Sequence, residues 1–554
     1  MTKLRIGLII DSTNVNIYKK NLVEYILNNN QYFDDPVLIS QNFKKKQSKH
    51  KIKNFLRFFL FEFFYNLTEK IIYKLINLFE IRRVRKNVLY CEYAKLFNLD
   101  KYNLKLVKVY PTVSKSGFLY RFSQTDLNLI KSLNLDVLVR CGSGIHMGEI
   151  LSLNKFGILS FHHGDNRVNR GSPPGFWETY FNWPTTGFII QRLTEQLDGG
   201  DVICRGNIMT RSLWHENTAQ LFLKSNIFMF KVLKSLYKNN SLPSIEPAFQ
   251  YGGKIFKKPS IYQLIFYIFK EYPKIIKSKI YLLFNFKKRW SVSFINKTGL
   301  DIDVKNLITI KNPPNRYLAD PFVIKHNNKN ICFVEDFYFK DNRAKISAFE
   351  LNGNSYKEVG VALEEDFHLS FPYIFKDNDD IFMIPETAQN KDIRLYKCLN
   401  FPLKWKLEKV LMSNIDAVDT VVFKKEHKWY MLSNICSSFI GEHHSELHLF
   451  ESDNLINNIW NKSYINPVIF NSQKARNGGF FSLGTNLYRV NQVHLKDKYG
   501  YSFKINKIKS INKNLYIENE ISEIKPIFFK SLIGTHHFHM NDEYTVIDHC
   551  KISR

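Results

Sequence analysis

Continuous apolar runs alternate with helix-like segments along the first 258 residues. The apolar runs at 4–10 (LRIGLII), 133–145 (LNLDVLVRCGSGI), 156–161 (FGILSF) and 185–193 (TTGFIIQRL) are typical of strands that are covered on both faces. Residues 126–133 and 215–238 between and after them are helix-like. This alternation predicts an α/β domain with an open, largely parallel sheet, in which ligands bind beyond the carboxyl ends of the strands.

Two aromatic and basic stretches interrupt this pattern. Within a divergent insertion at 44–100, residues 44–86 include FLRFFLFEFFYNLTEKIIYKLINLFEIRRVRK, where apolar residues occupy too many sides for an ordinary surface helix. This favours either an interfacial helix on an anionic membrane or a helical insertion that packs on its own domain or on a second subunit. Residues 259–287 form the second stretch, either a pair of linker helices broken at Pro273 or a second membrane contact.

From residue 288 the period changes to short strands that repeat. ICFVED, IFMIPE, WYMLSN, LYRVNQ and YTVIDH begin at residues 331, 381, 429, 487 and 544, so the intervals are 50, 48, 58 and 57 residues. Each strand ends in a polar pair. Repeats of several strands at this interval predict an all-β five-bladed propeller over residues 288–554, with a β-sandwich of similar hairpins as the alternative.

Charge and cysteine usage narrow the class of protein. Lys and Arg number 79 against 51 Asp and Glu, a net charge of +28. This balance indicates an anionic partner, or simply a codon bias toward lysine. The seven scattered cysteines form no CxxC motif, which argues against a disulfide framework or a structural zinc site and is typical of a reducing cytoplasm. The first residues predict a buried strand rather than a signal peptide. The sequence contains no uninterrupted run of 18 apolar residues, so we expect no helix that spans a membrane.

The stretch LSFHHGDNRVNRGSPPGFWE (159–178) carries the first candidate site, because it follows the predicted strand FGILSF. With the segments TTG (185–187) and LDGGD (197–201), it resembles the formyltransferase family that uses 10-formyltetrahydrofolate. The positions in register with that family are His162, Arg170, Gly171, Pro174, Trp177, Thr186, Gly187, Leu197, Asp198, Gly200 and Asp201. The resemblance covers residues 1–258 and implies a Rossmann-type domain with 10-formyltetrahydrofolate as co-substrate.

The resemblance also implies roles for individual residues. His162 would move protons between amine and folate, and Asp198 would orient its imidazole and stabilise the charged form. Ser160 stands where the family has an asparagine that stabilises the oxyanion. This difference leaves open an altered oxyanion hole, transfer of another group, or an inactive site. The residues expected at the folate are Arg140, Gly142, Gly144, Gly199 and Gly200.

The C-terminal half resembles a five-bladed propeller domain related to glycoside hydrolases, which also precedes the transferase region of glucosamine inositolphosphorylceramide transferases. The matching segments include YLADPF (317–322), FHLSFPYIF (367–375), MIPET (383–387) and GTHHF (534–538). The residues expected at its central funnel are Asp320, Glu335, His368, Glu386, Asp419 and His536. They would bind a glycan, hydrolyse a glycosidic bond through paired carboxylates, or serve as ordinary blade-end polar groups. We assign no metal site.

These expectations combine into one hypothesis of function. The N-terminal domain would be an N-formyltransferase acting on an amino sugar of a surface-glycan precursor, and the propeller would bind the glycan or glycolipid acceptor. The alternative is a glycoside-hydrolase-like or glycan-binding propeller protein, or a non-enzymatic scaffold, with a degenerate formyltransferase domain. We expect a cytoplasmic protein, held peripherally on the inner membrane face by its basic aromatic segments, with a homodimer as a further option. Nucleic acid is a less favoured partner.

Overall fold

The computed structural model describes residues 2–43, 56–87, 90–115, 117–196, 199–247, 249, 251–301, 304–437, 442–457 and 459–553. The chain divides into two compact units, residues 1–273 and 274–554. The boundary lies within the segment 259–287 that the sequence predicts as a linker. Each unit is described by itself below.

Over its described residues, unit 1 is an α/β unit with six helices, the last of which continues beyond residue 273. Its strands are β1 (Ile6–Ile10), β2 (Asn14–Val15), β3 (Val37–Gln41), β4 (Phe97–Asn98), β5 (Leu106–Val109), β6 (Thr112–Val113), β7 (Leu119–Arg121), β8 (Val137–Arg140), β9 (Ile145–His146), β10 (Ile158–His162), β11 (Thr185–Arg192) and β12 (Asp201–Met209). Its helices are α1 (Ile17–Leu27), α2 (Leu56–Lys86), α3 (Gln124–Ser132), α4 (Phe176–Phe181), α5 (Trp214–Asn239) and α6 (Ile261–Leu283).

The main sheet of unit 1 has seven strands in the order β12-β11-β10-β8-β1-β3-β5. The five strands from β10 to β5 are parallel, which confirms the predicted parallel sheet, whereas β11 and β12 run antiparallel at one edge. The core around Ile9, Leu138 and Ile158 is fully buried, as continuous apolar strands require. His162 ends β10 and therefore lies at the carboxyl edge of the parallel strands.

Helices α2 and α6 occupy the two aromatic and basic stretches. The predicted break at Pro273 is wrong, because α6 continues through this residue. The proline removes the hydrogen bond to the carbonyl of Phe269, a strongly exposed residue of α6, and water can satisfy a carbonyl on that side. Among the described residues, no helix is both long enough and apolar enough to cross a membrane.

Unit 2 is built almost entirely of antiparallel strands. They are β13 (Lys287–Ile295), β14 (Ile308–Thr309), β15 (Arg316–His326), β16 (Lys329–Tyr338), β17 (Arg343–Asn352), β18 (Ser355–Leu363), β19 (Ser370–Asp377), β20 (Asp380–Glu386), β21 (Asp392–Asn400), β22 (Lys404–Ser413), β23 (Ala417–Lys425), β24 (Lys428–Ile435), β25 (Glu446–Ser452), β26 (Asn461–Lys462), β27 (Ile469–Phe470), β28 (Asn477–Leu483), β29 (Asn486–Leu495), β30 (Lys498–Asn512), β31 (Leu515–Ile524), β32 (Phe538–Met540) and β33 (Thr545–Ser553).

These strands form five sheets, which we call the five-sheet domain (residues 287–554). Sheets 1 to 4 begin with β15, β19, β23 and β28, and each follows chain order. Sheet 5 joins both ends of the domain, because β13 and β14 pair with β33 and β32. One strand from each sheet takes part in a ring. In the order β15, β19, β23, β28 and β32, each strand contacts the one after it, and β32 contacts β15. We call these five the innermost strands. Apolar side chains such as Phe322, Phe371 and Val421 pack between the sheets.

Candidate functional site

A bulge recurs at the same place in four of the five innermost strands. The ladder to the second strand skips two residues after Ala319, Ser370, Val418 and Asn477. The skipped pairs are Asp320-Pro321, Phe371-Pro372, Asp419-Thr420 and Gly478-Gly479, and in the fifth strand His536-His537 precede β32. A bulge turns side chains out of the ladder, and here it brings Asp320 within 3.8 Å of His536. The motifs ADPF, SFPY, VDTV, NGGF and THHF carry this pattern in the sequence.

A second set of polar residues enters from the neighbouring strands. The residues paired with Ala319, Ser370, Val418 and Asn477 are Glu335, Glu386, Asn434 and Asn491. Asn434 donates to the carbonyls of Glu446 and Ala475 at 2.9 Å each, which is a structural role. One repeated position is thus acidic in sheets 1 and 2 and amide in sheets 3 and 4, which makes the centre of the ring asymmetric.

Asp320 is a buried, ionised carboxylate. Its Oδ2 accepts the backbone N–H of Phe371 at 3.3 Å, and its Oδ1 lies 3.5 Å from Nδ1 of His537 and 3.8 Å from Nε2 of His536. Burial opposes ionisation, but the contact with His537 and the positive charges of His536 and Arg476 outweigh it. Together they lower the pKa of Asp320 to about 2.

Glu335 and Glu386 have the opposite protonation preference. Burial, and then the negative charges of Asp320, Glu386 and Asp548, raise the pKa of Glu335 well above its usual value. Burial and the charge of Asp419 do the same for Glu386, against the opposing charge of Arg476. Tyr317 and His368 face Glu335, since the Tyr317 hydroxyl and His368 Nε2 each lie 3.5 Å from Oε1 of Glu335. The pKa values of the two glutamates are therefore shifted in the opposite direction to that of the neighbouring Asp320.

Asp419 is paired with a buried cation. Its Oδ2 accepts from Nε of Arg476 at 2.6 Å and from Nε2 of Gln492 at 3.3 Å. The Arg476 guanidinium lies 4.9 Å from the ring centre of Tyr499 and 3.3 Å from Nδ1 of His444. Burial lowers the pKa of Arg476, but the neighbouring Asp419 raises it by more, so the guanidinium stays charged.

His536 is held rigidly between an aromatic ring and a carboxylate. Its Nδ1 lies 2.5 Å from Oδ2 of Asp548, and its ring stacks on Trp290 with centroids 3.9 Å apart and 12° between the planes. Burial lowers the pKa of His536, but the charge and hydrogen bond of Asp548 outweigh it, so the pKa is raised. We call Asp320, Glu335, Glu386, Asp419, Arg476, His536 and Asp548 the central acidic site.

Three of these residues could hold a metal ion. The ligand atoms of Asp320, His536 and Asp548 all lie within 4.8 Å of one another. Asp548 already accepts the backbone N–H groups of His536 and His537 at 2.9 and 3.0 Å, besides facing the His536 ring. A metal ion would have to displace that ring, so the arrangement fits a fixed histidine better than an open ligand set.

The structure thus brings the six predicted funnel residues together at the centre of the ring. Sequence reasoning missed Arg476, Tyr499, His537 and Asp548. The repeated bulge motif would have found His537, and the strand motif VIDH would have found Asp548. Arg476 and Tyr499 lie outside both motifs and carry no such signal.

The first candidate site lies at the carboxyl edge of the sheet in unit 1. His162 Nε2 lies 3.4 Å from the carbonyl oxygen of Asn169, whose side chain donates to Glu178 at 3.1 Å and accepts the N–H of Gly171 at 2.7 Å. Burial raises the pKa of Glu178 to about 7, against the lowering effect of its hydrogen bonds. Asp198 lies outside the described residues, so its predicted pairing with His162 stays a prediction.

Ser160 and Arg140 contact each other in the fold. The buried Ser160 hydroxyl donates to the carbonyl of Phe161 and accepts from Nε of Arg140, both at 2.9 Å. The hydroxyl has one proton, and it is used in the hydrogen bond to the Phe161 carbonyl. The predicted oxyanion role would require this hydrogen bond to break. The neighbouring His163 packs against Phe161, Phe222 and Tyr18, and burial lowers its pKa to about 3, so it is a neutral core histidine.

The residues expected at the folate lie in two separate segments. The loop after β8 contains Gly142 and Gly144, and the β11–β12 turn contains Gly199 and Gly200. The chain beyond β9 contacts the β11–β12 turn, because the backbone N–H of Gly148 donates to Glu195 at 2.8 Å. A cavity of about 500 Å³ lies beside this contact and is lined by Gly148, Arg192 and Thr194 among others. Gly144, with φ 84°, lies against the Tyr120 ring, where any larger residue would clash.

Comparison with known proteins places the similarity mainly in the second unit. Residues 304–535 match the family model described as glucosamine inositolphosphorylceramide transferase 1, N-terminal. The curated protein named glucosamine inositolphosphorylceramide transferase 1 from Arabidopsis thaliana is 32% identical over 214 residues, covering 38% of this chain and 28% of that protein. Its namesake from Oryza sativa subsp. japonica is 31% identical over 211 residues, covering 37% and 28%. The matched region spans less than a third of these relatives.

Solved structures resemble the chain only distantly. The catalytic domain of a GH62 α-L-arabinofuranosidase from Coprinopsis cinerea aligns with 47% of this chain and 96% of its own, at 10% identity and a TM-score of 0.33. A sugar 3N-formyl transferase aligns with 64% of this chain and 99% of its own, at 15% identity and a TM-score of 0.25.

Proposed function

We propose that the five-sheet domain is a five-bladed propeller that binds a carbohydrate at the central acidic site, as part of a glycan-processing transferase. The observation that carries this proposal is the grouping of Asp320, His536 and Asp548, whose polar atoms lie within 4.8 Å of one another. Beside them are carboxyl groups whose pKa values shift in opposite directions, lowered for Asp320 and raised for Glu335 and Glu386. The names of the curated relatives support a transferase acting on a glycolipid, although the relatives are matched over less than a third of their length.

The chemistry of sugars suits this mixture of groups. A hydroxyl group donates one hydrogen bond and accepts others, so a binding site needs both acceptors and donors. Asp320 offers charged acceptors, whereas Arg476 offers donors. The raised pKa values of Glu335 and Glu386 favour their protonated forms, which can also donate. A carboxylate and a carboxylic acid in one site are also the pair that transfer or cleavage of a glycosidic bond requires.

Calorimetric titration of the full-length protein with amino-sugar oligosaccharides and inositol phosphate glycans tests binding. Asp320→Asn removes the charge and should weaken binding about ten-fold or more, since a charged hydrogen bond contributes about 1.5–3 kcal/mol. Asp453→Asn is the matched control, because Asp453 is a largely exposed carboxylate of the same domain. Glu386→Gln should keep the donor and bind, but should lose any turnover. No binding of any glycan, or equal binding by Asp320→Asn, would overturn the proposal.

Formyl transfer by unit 1 is the second candidate function. It is favoured by the placement of His162 at the carboxyl edge of the sheet. Its test is titration with 5-formyltetrahydrofolate, a stable analogue, followed by an amine-acceptor screen with wild-type protein and His162→Ala. Binding together with turnover that His162→Ala abolishes would establish this activity. Absence of binding would leave unit 1 as a degenerate domain.

A further inference from the structure

Helices α2 and α6 lie side by side on one apolar cluster of unit 1. Ile76 of α2 and Leu264 and Tyr267 of α6 are buried in this cluster with Phe176 and Trp214. The two helices also contact each other at two separated places. Lys258, just before α6, pairs with Glu69 at 3.0 Å, and the Tyr272 ring lies 4.6 Å from that of Phe79. Their opposite sides therefore face away from the same cluster.

Both helices expose large apolar side chains on that outer side. The exposed residues are Leu67, Ile71, Leu75 and Leu78 on α2 and Tyr262, Phe266 and Phe269 on α6. Their spacing of three, four or seven residues places each set along one line of its helix. Phe269 is 74% exposed and Leu75 is 57% exposed. We call these seven residues the outer stripe.

Charged residues are divided between the two sides. The acidic residues at 65–86 and 261–273 are Glu69, Glu80 and Glu271. Glu80 and Glu271 are fully buried, and Glu69 pairs with Lys258 with its side chain only 16% exposed. Lys70, Lys74, Arg82 and Arg85 are exposed and flank the stripe. The outer side of these segments therefore combines apolar and aromatic groups with positive charge and without carboxylates.

We propose that the outer stripe binds the surface of an anionic phospholipid bilayer, with α2 and α6 lying in the plane of the membrane. Apolar and aromatic side chains would enter the headgroup boundary while the flanking cations contact lipid phosphates. A second copy of the chain fits less well, because a two-fold interface would bring these cations against one another. A nucleic acid would leave the apolar side chains without a partner. The proposal does not depend on the proposed function.

Flotation of the full-length protein with vesicles tests this inference. We expect wild-type protein to float with phosphatidylcholine vesicles that contain phosphatidylglycerol. Binding to phosphatidylcholine alone should be at least about ten-fold weaker, since each cation near an anionic surface contributes about five-fold to the affinity. Leu75→Glu and Phe269→Glu should each reduce binding to the anionic vesicles about ten-fold. Phe118→Glu is the control, because Phe118 is an exposed aromatic residue of the same unit, 68% exposed, outside the stripe.

Several results would overturn the proposal. They are absence of vesicle binding by folded wild-type protein, equal binding to both kinds of vesicle, and no effect of Leu75→Glu and Phe269→Glu. A dimer in light scattering that Leu75→Glu dissociates, without vesicle binding, would assign the stripe to a second copy of the chain. Binding of a DNA duplex in place of vesicles would assign the surface to nucleic acid. Circular dichroism of each variant establishes that it is folded.

Discussion

Asp320 and Asp419 adopt the same left-handed backbone conformation, with φ 49° in each, at the same bulge position of β15 and β23. The two bulges bring one carboxylate to His536 and His537 and the other to Arg476. The equivalent residue of β19 is Phe371, with φ 44°, whose ring packs on His537 at 5.3 Å. One backbone device thus supplies two anions and an aromatic ring to the centre of the domain.

Two substitutions of Asp320 distinguish the stability cost of its left-handed backbone from the cost of losing its charge. Asparagine tolerates the left-handed region, whereas alanine has no local hydrogen bond to offset its cost. Asp320→Ala should therefore be about 1–2 kcal/mol less stable than Asp320→Asn in urea unfolding, although both remove the charge. Asp377→Asn and Asp377→Ala form the control pair, because Asp377 lies in β19 outside the residues of positive φ. Equal stability of the two Asp320 variants would contradict a strained bulge.

The pH dependence of glycan binding follows from the raised pKa of Glu386. If the protonated form donates to the ligand, binding is strongest below that pKa and weakens as the pH rises through it. Asp320 stays ionised throughout, because its pKa is about 2. In Glu386→Gln the amide donates at every pH, so the decline at high pH should become smaller. Calorimetric titration across the pH range checks this, and binding that strengthens with pH would contradict it.

Glu80 should make the stability of unit 1 depend on pH. Burial raises its pKa from 4.5 to about 7, although His215, Tyr267 and Tyr272 donate to it. The folded state therefore binds the proton more tightly than the unfolded state, and the free energy of unfolding falls as the pH rises from 4.5 to 7. A shift of this size corresponds to about 3 kcal/mol.

Glu80→Gln should remove the part of this dependence that Glu80 contributes, because its amide can replace the protonated carboxyl group. The equally raised pKa of Glu178 keeps the remainder. Urea unfolding at several pH values should give nearly equal stabilities near pH 5 and a more stable variant above pH 7. Glu92→Gln is the control, since the Glu92 side chain is 49% exposed and should behave like the wild type. A Glu80→Gln curve parallel to that of the wild type would show that Glu80 is ionised in the folded state.

Arg489 should be essential to the stability of the five-sheet domain. The fully buried guanidinium donates to Glu518 at 2.5 and 2.8 Å and to the carbonyls of Lys474 and Ala475. Arg489→Gln leaves the Glu518 carboxylate without its cation, with only the Tyr516 hydroxyl still donating to it at 2.6 Å. It should cost about 3–5 kcal/mol. Lys504→Gln breaks the exposed pair with Glu520 and should cost less than about 1 kcal/mol. Similar losses in urea unfolding for the two variants would contradict this assignment.

Local pattern was sufficient to predict much of the architecture. Strand periodicity and the repeat interval depend on neighbouring residues, so they indicated the parallel sheet of unit 1, the recurring strands of unit 2 and the polar positions Glu335 and Glu386. Asp320 and Asp419 came instead from the resemblance to the propeller family. The pairing of strands that are distant in the sequence could not be predicted from this local pattern. Strands β11 and β12 run antiparallel, and β13 pairs with β33 across the whole domain, because pairing direction is set by tertiary packing rather than by apolar periodicity.

The sequence by itself determined which residue types stand at the ends of the repeated strands, since these positions follow from alternation along each strand. Only the tertiary structure decided what those residues do. The protonation of Glu335 and Glu386 depends on burial and on charges from other sheets, and the hydrogen bond of Ser160 depends on Arg140 from another strand. The two faces of α2 were likewise separated by packing, because an apolar run alone does not tell the buried side of a helix from the exposed side.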